Sequence, residues 1–155
     1  MDMALIPDLA TFSKSLTSLA ASTFNPGQTV LAAGSTTGQL FILRKGLVEI
    51  VRDGVQIATV SEPGAVFGEL ALLLDKPHTA DVRTLERSEF HVAKASSLLT
   101  GDVAALLYVS AILARRLDAA NEVIVEIKRD LESDKRPGVI NKAIEKLEKL
   151  LSPAG

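Results

Sequence analysis

Leu9, Phe12, Leu16 and Leu19 recur at helical spacing with serine and threonine between them, which predicts an amphipathic helix over residues 8–22 that stops before Asn25-Pro26-Gly27. The texture then changes. From residue 25 to about 95, short runs rich in Val, Ile, Leu and Thr (TVLAA, QLFILR, LVEIV, VQIATV, ADVRTL and SEFHVA) are divided by Gly34, Gly38, Gly46, Asp53-Gly54 and Pro63-Gly64. LVEIVR and VQIATV around Asp53-Gly54 predict a hairpin, because Asp-Gly accepts the positive φ angles of a tight two-residue turn. One open sheet of such strands would expose its apolar face, so the pattern predicts a second sheet and a sandwich, barrel or roll.

From Thr100-Gly101-Asp102 the period becomes helical, with Asp102 as the N-cap of a helix over residues 102–133. Leu113, Leu117, Ala120, Ile124, Ile127 and Leu131 alternate spacings of four and three, the signature of a narrow apolar seam. That seam has two readings, packing within the chain or self-association. Asp134-Lys135-Arg136-Pro137-Gly138 predicts a break, since proline removes a backbone donor. A second amphipathic helix is expected over 139–152, with Ile140, Ile144, Leu147, Leu150 and Leu151 on one side and mixed charge on the other.

The chain has 155 residues, 47% of them hydrophobic, which fits one core of ordinary size. A net charge of −2 without a strong basic block gives no general attraction to nucleic acid or an anionic membrane. Arg115-Arg116 and Lys128-Arg129 read as solvated helix charges. Zero cysteines exclude disulfides and thiolate metal sites. No apolar run reaches the length of a membrane span, and the acidic start lacks the basic opening of a secretory signal, so a soluble, cytoplasmic protein is expected. Catalysis finds no support, because there is no Gly-x-Ser-x-Gly turn, no complete phosphate-binding loop and no cysteine nucleophile. His78 and His91, without an obvious third ligand, make a weak metal site, and none is expected.

Chemistry concentrates in residues 67–82, FGELALLLDKPHTADV. Gly64 and Gly68 let the backbone approach something closely, and a helical turn starting after Gly68 would offer N–H groups without intrahelical partners. Such donors suit an anion. The plain alternative is a tight turn followed by a buried apolar helix. Phe67 to Leu73, then Pro77, His78, Thr79, Ala80, Asp81 and Val82, resemble the phosphate-binding cassette F-G-E-[LI]-A-L-L … P-R-[ST/A]-A-[TS]-V of the cyclic-nucleotide-binding domain family. This family includes the catabolite activator protein and the regulatory subunits of cyclic-AMP-dependent kinase.

The resemblance covers roughly residues 25–130. It implies a mainly β fold, a double-stranded β-helix (a jelly-roll-like β-roll) with an N-terminal helix and two C-terminal helices. The expected domain is 1–133 with its roll at 25–95, followed by a linker at 134–138. It also implies a site formed by Phe67, Gly68, Glu69, Leu70, Ala71, His78, Thr79 and Ala80, for cyclic AMP or cyclic GMP. In the family the glutamate at the Glu69 position holds the ribose 2′-hydroxyl, N–H groups at the Gly68, Leu70 and Ala71 positions line phosphate and sugar, and the hydroxyl at the Thr79 position contacts phosphate. Glu69 also has a local rationale, since a buried carboxylate needs donors and sugar hydroxyls supply them.

Two departures stand out. His78 occupies the position of the family's phosphate-pairing arginine, and Asp81 adds an acid nearby. Residues 79, 81 and 83 share a strand face, so Arg83 either neutralises Asp81 or partly replaces the missing arginine. Two functions remain open. One is a regulatory sensor coupling pocket occupancy to the position of the C-terminal helices. The other is a degenerate cyclic-nucleotide-binding fold kept as a dimerisation or protein-interaction module. A homodimer through 102–133 and an effector protein are the partners implied. The chain ends soon after the Pro-Gly break, leaving no place for the helix-turn-helix of the bacterial activators, so DNA binding is not expected.

Overall fold

Short runs of β-branched and apolar residues divided by turn residues fill residues 25–95, and the backbone there finds its hydrogen bonds mostly between strands. The computed structural model describes residues 9–133 together with 138, 141, 142 and 145. The expected linker at 134–138 and helix at 139–152 otherwise lie outside the described residues. The elements are α1 (Leu9–Leu16), β1 (Ala20–Phe24), β2 (Thr29–Leu31), β3 (Gln39–Lys45), β4 (Val48–Arg52), β5 (Val55–Val60), β6 (Val66–Phe67), α2 (Glu69–Leu73), β7 (Asp81–Thr84), β8 (Ser88–Lys94), α3 (Ala95–Gly101) and α4 (Val103–Ser133). Two antiparallel four-stranded sheets result, ordered β1-β8-β3-β6 and β2-β7-β4-β5. The chain divides into two compact units, residues 1–109 and 110–155.

The expected helix over 8–22 is corrected to Leu9–Leu16. Thr17 and Ser18 are weak helix formers, and Leu19 N–H closes the last turn on the Leu16 carbonyl at 3.0 Å. Ala20–Phe24 instead pairs with β8, from Ala20 opposite Val92 to Phe24 opposite Ser88. The Asp-Gly hairpin forms as expected, with φ of 51° at Asp53 and 77° at Gly54 joining β4 to β5.

Inner faces of both sheets meet in a core of Val30, Leu31, Phe41, Leu43, Val48, Phe67, Val82 and Phe90. Phe90 is its centre, taking Phe24, Phe41 and Phe67 edge-on at centroid distances of 5.6, 5.9 and 6.3 Å. The first sheet is buried on its other face too, through Leu40, Ile42 and Ala93. That is why QLFILR reads as a continuous apolar run rather than an alternation. Phe12, Leu16, Ala95, Leu99, Ala105 and Val109 give the flanking helices matching buried faces.

Two polar side chains anchor the ends. Thr84, 1% exposed, accepts from Gln28 N–H at 3.0 Å and donates to the Asn25 carbonyl, fixing the Asn-Pro-Gly turn on β7. Asp102 caps α4 as predicted, its Oδ1 accepting from Ala105 N–H at 3.1 Å. A hydrogen bond from Ser15 and these backbone bonds hold its carboxyl below the usual range.

β5 is the outermost strand of the second sheet, exposed along most of its length, with Val55 61% and Ile57 57% accessible. Its register against β4 shifts from Ile50–Ala58 to Val51–Gln56, which leaves Ile57 as the extra residue of a bulge. Within the second unit, Ser110–Ser133 continues α4 and leaves Leu117, Val123 and Ile127 exposed. Among the described residues no single helix is long and apolar enough to cross a membrane.

Candidate functional site

The chain bends at Gly68 between β6 and α2, and the backbone conformation there dictates the residue. Its φ is +97°, and a Cβ built there would lie 2.5 Å from the Gln39 carbonyl oxygen at the start of β3. The close approach that the glycine allows is therefore made to the chain's own backbone. Immediately before it, β6 pairs Val66 with Ile42 and Phe67 with Phe41, so the cassette starts from a strand fixed in the first sheet. Phe67 itself points into the aromatic core.

The five-residue α2 inverts the expected burial. Leu70, Leu73 and Leu74 are 41%, 47% and 56% exposed, whereas Glu69, at its first position, is 3% exposed. The plain reading of a buried apolar helix does not hold, because the acid is the residue taken inside. A carboxylate held there requires hydrogen-bond donors or a positive neighbour. Ala71 is half-buried, and Lys76 N–H returns to its carbonyl at 3.0 Å to close the helix before Pro77.

His78 is 7% exposed. It is held to the β2–β3 loop, residues 32–38, by three hydrogen bonds. Its N–H donates to the Ser35 carbonyl at 2.9 Å, its carbonyl accepts from Gly34 N–H at 2.8 Å, and Nε2 shares a hydrogen bond of 2.9 Å with Thr37 Oγ1. Burial lowers the pKa of the ring, and the negative charge of Glu69 opposes that shift in part. The ring is consequently neutral near pH 7. Thr79 and Ala80 follow, both half-buried.

Asp81 has both oxygens engaged. Oδ1 accepts from Ala33 N–H at 2.7 Å, and Oδ2 accepts from the Arg83 guanidinium at 2.6 Å. The Ala33 amide, with Arg83 assisting, holds its carboxyl below the usual range. Of the two roles open to Arg83, neutralising Asp81 is the one the molecule adopts. His91 lies in the other sheet, opposite Ile42 and Ala21, with a buried Nδ1 that has no hydrogen-bond partner. Burial, and secondarily Arg44, lowers its pKa. Among the described residues no group of three His, Cys, Asp or Glu could hold a metal ion.

Sequence reasoning missed the partner loop. Thr37, Ser35 and Ala33 hold His78 and Asp81, and only the flanking Gly34 and Gly38 hinted at an ordered turn there.

The family model for the cyclic nucleotide-binding domain matches residues 21–100. Glutaminase 2 of Bradyrhizobium diazoefficiens is 34% identical over 113 residues, covering 63% of this chain and 17% of that protein. Among solved structures, cAMP-bound PfPKA-R superposes with a TM-score of 0.58 at 27% identity, covering 70% of this chain and 37% of that one. The catabolite activator protein of Thermus thermophilus superposes at 0.65 with 22% identity, covering 83% and 63%, and shares the fold. The chain spans less than a fifth of the length of the curated relatives it matches.

Proposed function

The chain belongs to the cyclic-nucleotide-binding domain family, and on that premise we propose that it is a ligand-sensing regulatory domain whose cassette, residues 67–80, takes a cyclic nucleotide. The observation that carries this is Glu69, a carboxylate 3% exposed at the first position of α2 while neighbouring leucines face outward. A ribose hydroxyl would add a donor to the interactions that Glu69 already makes within the chain. The Gly68, Leu70 and Ala71 amides and the Thr79 hydroxyl are the proposed partners of sugar and phosphate. The likeness to cAMP-bound PfPKA-R supports the same ligand class.

His78 sets the strength of binding. A neutral imidazole in place of a guanidinium removes a fixed charge and a two-pronged hydrogen bond. The loss costs about 2–5 kcal/mol, or tens to thousands in affinity. Protonation restores the charge, so binding of an anionic ligand is coupled to proton uptake by the His78 ring and tightens as pH falls toward the lowered value of that ring. Occupancy passes to the helices that follow only as far as the ligand favours one of their arrangements. Exposed Leu117 and Ile127 on α4 support self-association as part of that response, which sedimentation of the intact chain tests directly.

The experiment is calorimetric titration with cyclic AMP and cyclic GMP at about pH 7.5 and about pH 5.5. Saturable binding, tighter at the lower pH and weakened by Glu69→Gln, is the expected result. No saturable heat for either nucleotide at either pH would overturn the proposal.

A further inference from the structure

Tyr108 lies on the second turn of α4, and its ring stacks on Phe12 of α1 with centroids 3.9 Å apart and planes at 17°. Its hydroxyl reaches the loop between β5 and β6, donating to the Gly64 carbonyl at 3.2 Å. On its other side, Gly64 N–H donates to the Leu43 carbonyl at 2.8 Å, and Leu43 N–H returns to Ala65 at 2.8 Å. Gly64 is buried, with φ at +91°. Its N–H and C=O are thus fixed from opposite sides, one by strand β3 and one by a helix. Only Ala65, Val66 and Phe67 separate this peptide from Gly68, and Glu69 follows.

From this arrangement we infer that Tyr108 is a positioning residue for the cassette, its hydroxyl holding the peptide from which β6 delivers Gly68 and Glu69. The first turns of α4 and helix α1 form one assembly at this point. The Phe12–Tyr108 stack joins them, and Asp102 adds a hydrogen bond with Ser15. A displacement of that assembly is felt at Gly64 through the Tyr108 hydroxyl. The inference deepens the proposed reading and rests on it for the ligand, while the tie itself does not depend on any ligand.

Tyr108→Phe is the discriminating variant, because it keeps the ring and its stack and removes only the oxygen. Amide hydrogen exchange of the ligand-free protein is compared with that of the wild type. Losing one hydrogen bond of ordinary net strength speeds local opening by about two- to tenfold. That acceleration is expected at residues 65–70, exceeding any change in β3 and β8. A uniform rise across the roll, or none, would overturn the inference by reducing Tyr108 to general stability or to no role.

Cyclic AMP supplies the second arm. Tyr108 is the one tyrosine in a chain without tryptophan, so its emission reads the tie directly. If wild type binds nucleotide, emission is expected to change in step and Tyr108→Phe to shift affinity. Binding with emission and affinity both unaltered would overturn the positioning role. If wild type binds no nucleotide, the ligand reading fails and hydrogen exchange alone decides the tie.

Discussion

Replacing Gly68 by alanine separates two costs that usually arrive together. The first is conformational, since an L-residue at φ +97° leaves the allowed region, at roughly 1–2 kcal/mol. The second is steric. The new Cβ would stand 2.5 Å from the Gln39 carbonyl oxygen, against an ordinary separation of about 3.5 Å. That carbonyl belongs to β3, whose next residue, Leu40, is fully buried, so it has little room to yield. Overpacking of this kind costs about 1–3 kcal/mol. Gly34→Ala is the control, because its φ is +82° and nothing lies within 4 Å of the added carbon. It carries the conformational cost alone. With about 2–4 °C per kcal/mol for a chain of this size, Gly68→Ala should melt roughly 2–12 °C below Gly34→Ala. Calorimetric melting of both variants beside wild type measures the difference. Equal melting temperatures would refute the claim that the cassette turns against the β3 backbone.

Other expectations follow from the same contacts. Both histidines have lowered native pKa values, so the unfolded chain takes up their protons first; stability is full above about pH 6.5 and declines as pH falls through the native values, visible as a falling melting temperature between about pH 7 and pH 5. His78→Gln and His91→Gln should each flatten part of that decline, and an unchanged slope in both would contradict it. Thr84→Val leaves Gln28 N–H and the Asn25 carbonyl without their side-chain partner and should cost about 1–3 kcal/mol in urea unfolding, whereas Thr84→Ser should cost clearly less. Asp102→Ala removes the α4 cap and should cost about 0.5–2 kcal/mol, while Asp102→Asn retains much of the stability.

Local chemistry marked the elements that make themselves. The β4–β5 hairpin was legible because Asp53-Gly54 fixes its turn, and α4 because Asp102 caps a long helical period. β1 was not legible, since Ala20–Phe24 owes its conformation to β8, more than sixty residues away, and its two alanines suit a helix equally well. β6 has only two residues and exists through Ile42 and Phe41. At the candidate site, the glycine, acid and apolar run marked residues 67–82, and the family resemblance marked His78 as standing where the family has an arginine. Side-chain destinations were beyond it: Thr37 meets His78 from forty-one positions upstream, and Ala33 meets Asp81 from forty-eight. The inverted burial of α2 was hidden for the same reason, because which face turns inward depends on where β3 runs.

The extra residue at Ile57 bears on how this protein behaves in a crowd. Val55–Val60 carries no charge and no proline, and it borders its sheet. A straight strand of that composition is a template onto which an identical chain can add, rung by rung, into an aggregate. The bulge bends the strand and breaks the even spacing of its outward backbone groups. Deletion of Ile57 is therefore expected to straighten this border and raise the rate of aggregation at high concentration, which light scattering of the variant beside wild type measures.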